Sequence, residues 1–456
     1  EDLNPDPRIV EVNITAAVGE AALLSGAKTA VWTYNDRLPG PLLHARVGDR
    51  VIVHFTNNLP ESTIIHWHGL RISDQMDGSP RVQDPIEPGE SFTYDFVVPD
   101  AGTYWYHTHL HQIQQFERGL YGALVVHEAE PPQFTAERII VVDDIRLDTK
   151  NQVGAFLTSG PDIGRGRVGN RLLINGSTKP MKVTLARGAV ERWRVVLATN
   201  ALSLKLRTVG AKTRVIGTDG GFLPAPFDLE TVQMAPGQRY DLEVRADDAA
   251  TEVDLEGLIL ALDANDNVIE QPFPFVQASV AGEVPVVEPV YPAVPMPGVD
   301  MGAKKVNWKL SGGVVGGKVQ FTINGVTGVQ EGHDHVVLDT FTRGEPVQIT
   351  LSSSVSPEHP FHLHGQFFQI IKRGGKLVTD EPGLRDTVLV QGAQSVTIQT
   401  YFDNPGRWMV HCHIGEHSEM GMMADVEVID PNAAGGAGGA RRVRVDHLDV
   451  GHHAHL

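Results

Sequence analysis

A single cysteine, Cys412, lies between His411 and His413, and three more His-x-His pairs occur at His66/His68, His107/His109 and His362/His364. In an extended strand residues i and i+2 share a face, so each pair presents two imidazoles to one side. Neutral imidazole nitrogens are ligands for Cu, Zn, Ni or Fe, and eight of them suit a site that holds several metals. Strand alternation turns the Cys412 sulfur to the face opposite His411 and His413, toward a second site. Near it in sequence stand His359, His417 and the methionines Met420, Met422 and Met423. One thiolate, two imidazoles and a weak thioether make the electron-transfer set of a blue copper centre, and spacing alone prefers none of the three methionines. Zinc would take four strong ligands, and an iron–sulfur cluster would need more cysteines. The competing reading of a lone cysteine is an inert thiol in a core; an intrachain disulfide is excluded.

The elements that must position these residues repeat along the chain. Apolar stretches are short, alternating and β-branched, as in Val51-Ile52-Val53-His54-Phe55, and glycine and proline are abundant, at 47 and 29 of 456 residues. This is a β-rich pattern. Three turns, at Gly48, Gly188 and Gly344, each feed a strand, and a second set at Gly89, Gly237 and Gly392 keeps nearly the same interval. So long a period means repeated domains, and short antiparallel strands within each unit predict three β-sandwiches in series. Their boundaries are expected near Glu130–Gln133 and in the Pro/Val-rich stretch from Glu283 to Gly302, which gives units of 1–133, 134–283 and 284–456. His66 and His362 each lie 18 residues beyond the first glycine of their unit, and His107 and His411 lie 18 and 19 beyond the second. The pairs thus occupy equivalent places in the first and third units, which predicts a shared site between them. In the middle unit the same offsets fall on Leu206, Thr208 and Leu255, so that unit is expected to contribute nothing to the site. His333/His335, His44, His54, His111, His127 and the tail histidines 447, 452, 453 and 455 lack such a register and are read as ordinary.

The formal net charge of −18 argues against nucleic acid and anionic lipid as partners. No apolar run approaches the roughly 18–20 residues that span a bilayer. A start at Glu1 without an initiator Met is read as a processed, exported form, periplasmic or secreted.

On four motifs the sequence resembles the multicopper oxidases, the family of laccases and bacterial cuprous oxidases. They are His66-Trp67-His68-Gly69, His107-Thr108-His109, His359-Pro360-Phe361-His362-Leu363-His364, and the run His411-Cys412-His413-Ile414-Gly415-Glu416-His417-Ser418-Glu419-Met420-Gly421-Met422. The resemblance covers essentially the whole chain. It implies an all-β fold of three cupredoxin-like Greek-key β-sandwich domains and four copper ions: one type 1, one type 2 and a type 3 pair. By it, His359, Cys412 and His417 hold the type 1 copper with Met422 axial, and His66 and His362 hold the type 2 copper. The type 3 pair would take His68, His107, His109, His364, His411 and His413.

The activity so implied is laccase-like: phenols or aromatic amines lose single electrons at the type 1 copper, and O2 is reduced to water by four. Oxidation of cuprous, manganous or ferrous ion is the alternative. The Cys412 backbone would carry electrons to His411 and His413, while Asp77, matched in position to an acidic residue near the type 2 copper, would donate protons or orient water. Asp77-Gly78 reads equally well as a turn. Ser418 stands where many bacterial relatives carry Glu, leaving Glu416 and Glu419 as substitutes in proton delivery. The nine methionines are scattered rather than gathered in a segment over the type 1 site, which disfavours specialised cuprous oxidation. A Met axial ligand implies a potential low in the family range and slow reaction of electron-poor phenols. A copper nitrite reductase would not need eight paired histidines, and a copper store would have lost ligands.

Overall fold

In a computed structural model, residues 2–156, 160–262, 268–328, 336–354 and 358–432 are described. His333, His335 and the four tail histidines lie outside these residues. Strands from Ile9 to His127 form two four-stranded sheets; those from Ala136 to Glu283, and again those from Lys304 to Ile429, form one six-stranded and one five-stranded sheet. Alternate side chains of each sheet pair meet in a separate core, built around Trp67 and Tyr94, around Trp193, and around Trp308 and Trp408. Burial of each such side chain stabilises its unit by about 1.5–3 kcal/mol.

The three sheet pairs share one connectivity. Ile9–Leu24 runs parallel to Arg50–Asn58, Ala136–Ile145 to Glu191–Leu197, and Lys304–Val315 to Val347–Ser353. On the facing sheets, Leu43–Arg46 runs parallel to Tyr121–His127, Met181–Arg187 to Val268–Glu283, and Val337–Thr342 to Met423–Ile429. Parallel neighbours cannot be joined by a hairpin, so the chain crosses between the sheets each time. Gly48, Gly188 and Gly344 all stand at φ between 77° and 81°, where a side chain would be strained. Three cupredoxin-like sandwiches are the fold. Leu206 and Leu255, at the middle unit's counterparts of the histidine positions, are fully buried in its core.

Buried ions join the sandwiches. Arg192 and Arg194 of the middle unit share Asp241, and Arg192 also reaches Glu128 of the first at 2.9 Å. Arg239 binds Asp386 of the third at 2.6 Å. Residues 284–303 form no regular element and are fastened to the middle unit by Glu288, 2.6 Å from Arg245. Among the described residues no helix is long and apolar enough to cross a membrane.

Candidate metal centre

Two antiparallel strand pairs carry the histidines. Ile65–His68 pairs with Gly102–Thr108 so that His66 opposes His107, and His359–Leu363 pairs with Gly406–Cys412 so that His362 opposes His411. Alternation sends Trp67, Phe361, Leu363 and Cys412 into their own cores. The imidazoles are left on the outer faces, where the first and third sandwiches meet. His66 stacks on His364 at 4.0 Å between ring centres and His68 on His362 at 3.8 Å. All eight side chains are buried, and nitrogens of His68, His107 and His413, of His109, His364 and His411, and of His66, His68 and His362 lie within 4.8 Å of one another.

The hydrogen bonds decide what such a cluster can hold. His411 donates Nδ1–H to the Cys412 carbonyl at 2.9 Å, and His364 donates Nδ1–H to Asp77 Oδ2 at 2.8 Å. Burial first, then neighbouring imidazoles, hold both rings well below the usual histidine range, so they are neutral and their Nε2 atoms are bare lone pairs. Those two lone pairs face each other at 3.0 Å. Acceptor against acceptor is repulsive unless a cation lies between them. His66, His107 and His362 each spend Nδ1 on a carbonyl, of Asp77, Thr108 and Asp386, and leave a buried Nε2 without a partner. The donor set fits transition-metal ions that favour imidazole.

On the other face of the same strand, Cys412 Sγ lies 3.7 Å from His359 Nδ1 and 3.4 Å from His417 Nδ1. The two nitrogens are 3.2 Å apart. His417 donates Nε2–H to the Gly164 carbonyl at 3.3 Å, which frees its Nδ1 for a ligand role. Burial lowers His359 to about 4 and, with His359 as neighbour, His417 to about 3. Burial also pushes the Cys412 thiol far up, so a bound cation is needed to hold it as thiolate. Met422 is fully buried in the Cys412 core, its N–H bonded to the His417 carbonyl at 2.8 Å. Met420 is only partly buried, and Met423 opens the next strand opposite His411.

The multicopper oxidase family pattern matches residues 15–131, 145–253 and 313–432. The chain belongs to the multicopper oxidase family. It is similar to multicopper oxidase MmcO of Mycobacterium tuberculosis, at 29% identity over 89% of this chain and 84% of the relative. Laccase-1 of Cryptococcus neoformans is 28% identical over 90% of this chain and 78% of its own. Among solved structures, a multicopper oxidase of Campylobacter jejuni described as a metallo-oxidase superposes with a TM-score of 0.79 at 28% identity, covering 94% of this chain and 93% of that one. As a multicopper oxidase the protein is a copper-binding oxidoreductase that uses O2.

In this multicopper oxidase the middle sandwich supplies no metal-ligating side chain among the described residues, but the expectation that it contributes nothing to the site is corrected. Gly237, at φ +90°, sits so close that a Cβ there would come 3.1 Å from His413 and 3.2 Å from His68. Arg239 donates to both Asp386 oxygens, at 2.8 and 2.6 Å, and Asp386 lies 3.2 Å from His68 Nε2. Burial alone would raise Asp386, but Arg239, ahead of His68, holds it well below the usual carboxylate range. Asp386, Arg239 and Thr387, whose hydroxyl is 3.1 Å from His362 Nδ1, were not singled out by sequence motifs. Only Gly237 carried a signal, as one of the repeated turns.

Asp77 is buried, accepts from His364 through its carboxylate and from His66 through its carbonyl, and precedes Gly78 at φ +77°. Ligand support and the turn are therefore both present. Ser418 donates to Gln112 Oε1 at 2.9 Å, buried Glu416 lies within reach of the Arg167 backbone N–H, and Glu419 accepts from the Ile113 N–H at 2.8 Å. His54 and His111 pair with Glu11 and Glu61, and His44 with His127, all away from the centre.

Asn200, beside a small cavity at His107 and His413, donates to buried Glu117, which also pairs with Arg167 at 3.0 Å. Burial, opposed by Arg167, lifts Glu117 to about 8 from an ordinary 4.5. A raised carboxyl binds its proton more tightly in the folded state. Its stabilisation is complete below about pH 4.5 and is lost as pH rises toward 8, a span of roughly 5 kcal/mol. Thermal unfolding of the metal-free chain from pH 5 to pH 8 should thus fall less steeply in Glu117→Gln than in wild type. Equal slopes would refute a raised Glu117.

Proposed function

We propose that the protein is a laccase-type oxidase that takes single electrons from phenols or aromatic amines and passes four to O2, forming water. The reading is carried by one arrangement: two buried donor clusters on opposite faces of a single strand, joined through the peptide His411-Cys412-His413. His359, Cys412 and His417 with Met422 would hold the type 1 copper, and His66 and His362 the type 2. One type 3 copper would lie among His68, His107 and His413 and the other among His109, His364 and His411. Copper in these places supplies one-electron transfer and O2 binding. The chain orients the ligands: Asp77 fixes His66 and His364, and Asp386 fixes His68 and His362. Asp77 Oδ1, buried without a partner, is the atom placed to hold or pass a proton. The units are taken as 1–133, 134–283 and 284–456, and a periplasmic or secreted location suits the blue copper site.

An organic reductant is favoured over a metal ion by the scattered methionines and by Asp162, two residues before the Gly164 whose carbonyl accepts from His417, because its charge is taken up by Arg146 at 2.8 Å. Copper content, visible spectrum and O2 uptake test the proposal. Roughly four coppers, an intense blue band and faster O2 uptake with 2,6-dimethoxyphenol than with Cu(I), Mn(II) or Fe(II) are expected. Faster uptake with a metal ion would make the protein a metallo-oxidase, and no uptake would end the oxidase reading.

A further inference from the structure

A cavity of about 280 Å³ lies between the middle and third sandwiches, and none of the proposed copper ligands lines it. Phe227, Val232 and Tyr240 come to it from the middle sandwich, and Arg373, Arg385 and Leu389 from the third. One of its two cations is unmatched. Arg373 is spent on both oxygens of Glu381 and on the Leu389 carbonyl at 3.0 Å. Arg385 is only 3% exposed and donates from Nη2 to the Tyr240 hydroxyl at 3.0 Å, while its buried Nε and Nη1 have no partner. The guanidinium also lies 5.0 Å from the centre of the Tyr240 ring, so its head stands beside a wall of the cavity. Burial works against the charge, but Tyr240, Asp219 and Glu381 hold Arg385 above its ordinary value, and it stays a cation. Neither carboxylate bonds to it among the described residues: Asp219 accepts the Arg239 backbone N–H at 2.7 Å, and Glu381 is taken by Arg373. A buried guanidinium with unspent N–H groups calls for an oxygen acceptor.

We propose that this cavity is a binding site for an aromatic monocarboxylate, with the carboxylate on Arg385 and the ring among Phe227, Val232, Leu389 and Tyr240. Size and charge both argue for that class. A cavity of about 150 Å³ already holds a benzene ring, so this one has room for a ring and a carboxylate. An inorganic anion would leave the apolar side chains uncovered. A dianion would also meet the exposed Asp380 and the neighbouring Glu381, whereas a single negative charge matches the one guanidinium that lacks a bonded carboxylate. The site is separate from the proposed oxidation, and binding there involves no covalent or redox step. It does adjoin residues that orient the imidazoles. Arg385 precedes Asp386 in the chain, and Gln238, a further lining residue, stands between Gly237 and Arg239 and donates to the Thr387 carbonyl at 3.0 Å.

Titration calorimetry of the metal-free full-length chain at low salt tests this with benzoate as the probe, so that no copper is present to take the carboxylate. Wild type should bind benzoate, and should bind benzamide, which keeps the ring without the charge, at least about tenfold more weakly. Arg385→Met should lower the benzoate affinity at least about tenfold. Where loss of the buried arginine unfolds the chain, the exposed lining residue Thr231 carries the test: Thr231→Lys should tighten benzoate, and Thr231→Glu weaken it, at least about twofold each. No saturable binding by wild type up to about 10 mM benzoate would overturn the site. So would equal affinity for benzamide, a folded Arg385→Met that binds as wild type does, or two Thr231 variants of equal affinity. Sulfate that displaced benzoate at equal concentration would overturn the aromatic carboxylate in favour of an inorganic anion.

Discussion

On the proposed copper assignment, Cys412→Ser is expected to lose the blue absorption, to keep about three of the four proposed coppers, and to lower the proposed phenol oxidation rate by at least about a hundredfold. Loss of a residue that merely orients a metal ligand costs about 10–100-fold in affinity or activity, so loss of a strong ligand sets the upper figure as a floor. A hydroxyl at this position lacks the soft, polarisable sulfur that selects copper. It would also remove the metal–sulfur bond by which the proposed type 1 site joins the His411-Cys412-His413 backbone. The buried cluster between the first and third sandwiches does not touch this side chain, because Cys412 points into the opposite core. Copper analysis beside the visible spectrum checks this, and a variant that retained either the band or the wild-type rate would remove Cys412 from the electron path.

Arg239→Met is expected to destabilise the chain by about 3–5 kcal/mol, since breaking a buried ion pair from one side leaves an uncompensated charge. Arg239 is fully buried, holds both Asp386 oxygens, and donates to the carbonyls of Thr103 at 2.8 Å, Gly237 at 3.0 Å and Asp219 at 3.0 Å. It therefore ties all three sandwiches together at the edge of the metal centre. Without it Asp386 is drawn toward protonation, and its hold on His68 weakens. Urea unfolding of the metal-free chain measures the first effect, and copper stoichiometry after dialysis measures the second, expected as a loss of about 10–100-fold in affinity at the cluster. A shift below about 1 kcal/mol with full copper retention would show that Asp386 holds its place without Arg239.

The His-x-His pairs, the lone cysteine and the repeat of the turns were legible in the sequence because each depends on local regularities. Strand alternation has a period of two, so His-Trp-His, His-Leu-His and His-Cys-His announce an imidazole face backed by an apolar one. Duplication kept the turn-to-histidine distance, which placed the pairs in the first and third sandwiches and core leucines at the middle one. Tertiary structure decided the rest. The division of the six type 3 candidates into two groups of three depends on how two sandwiches rotate against each other, and no spacing along the chain encodes that angle. Asp386 lies 318 residues from His68, and Gly164 lies 253 from His417. Such contacts are set by the packing of sheets and loops, and a single buried Arg, Asp or Gly that makes them carries no periodic signature. The chemistry could therefore be read from residue types and short spacings, whereas the residues that orient it emerged only where separate units come together.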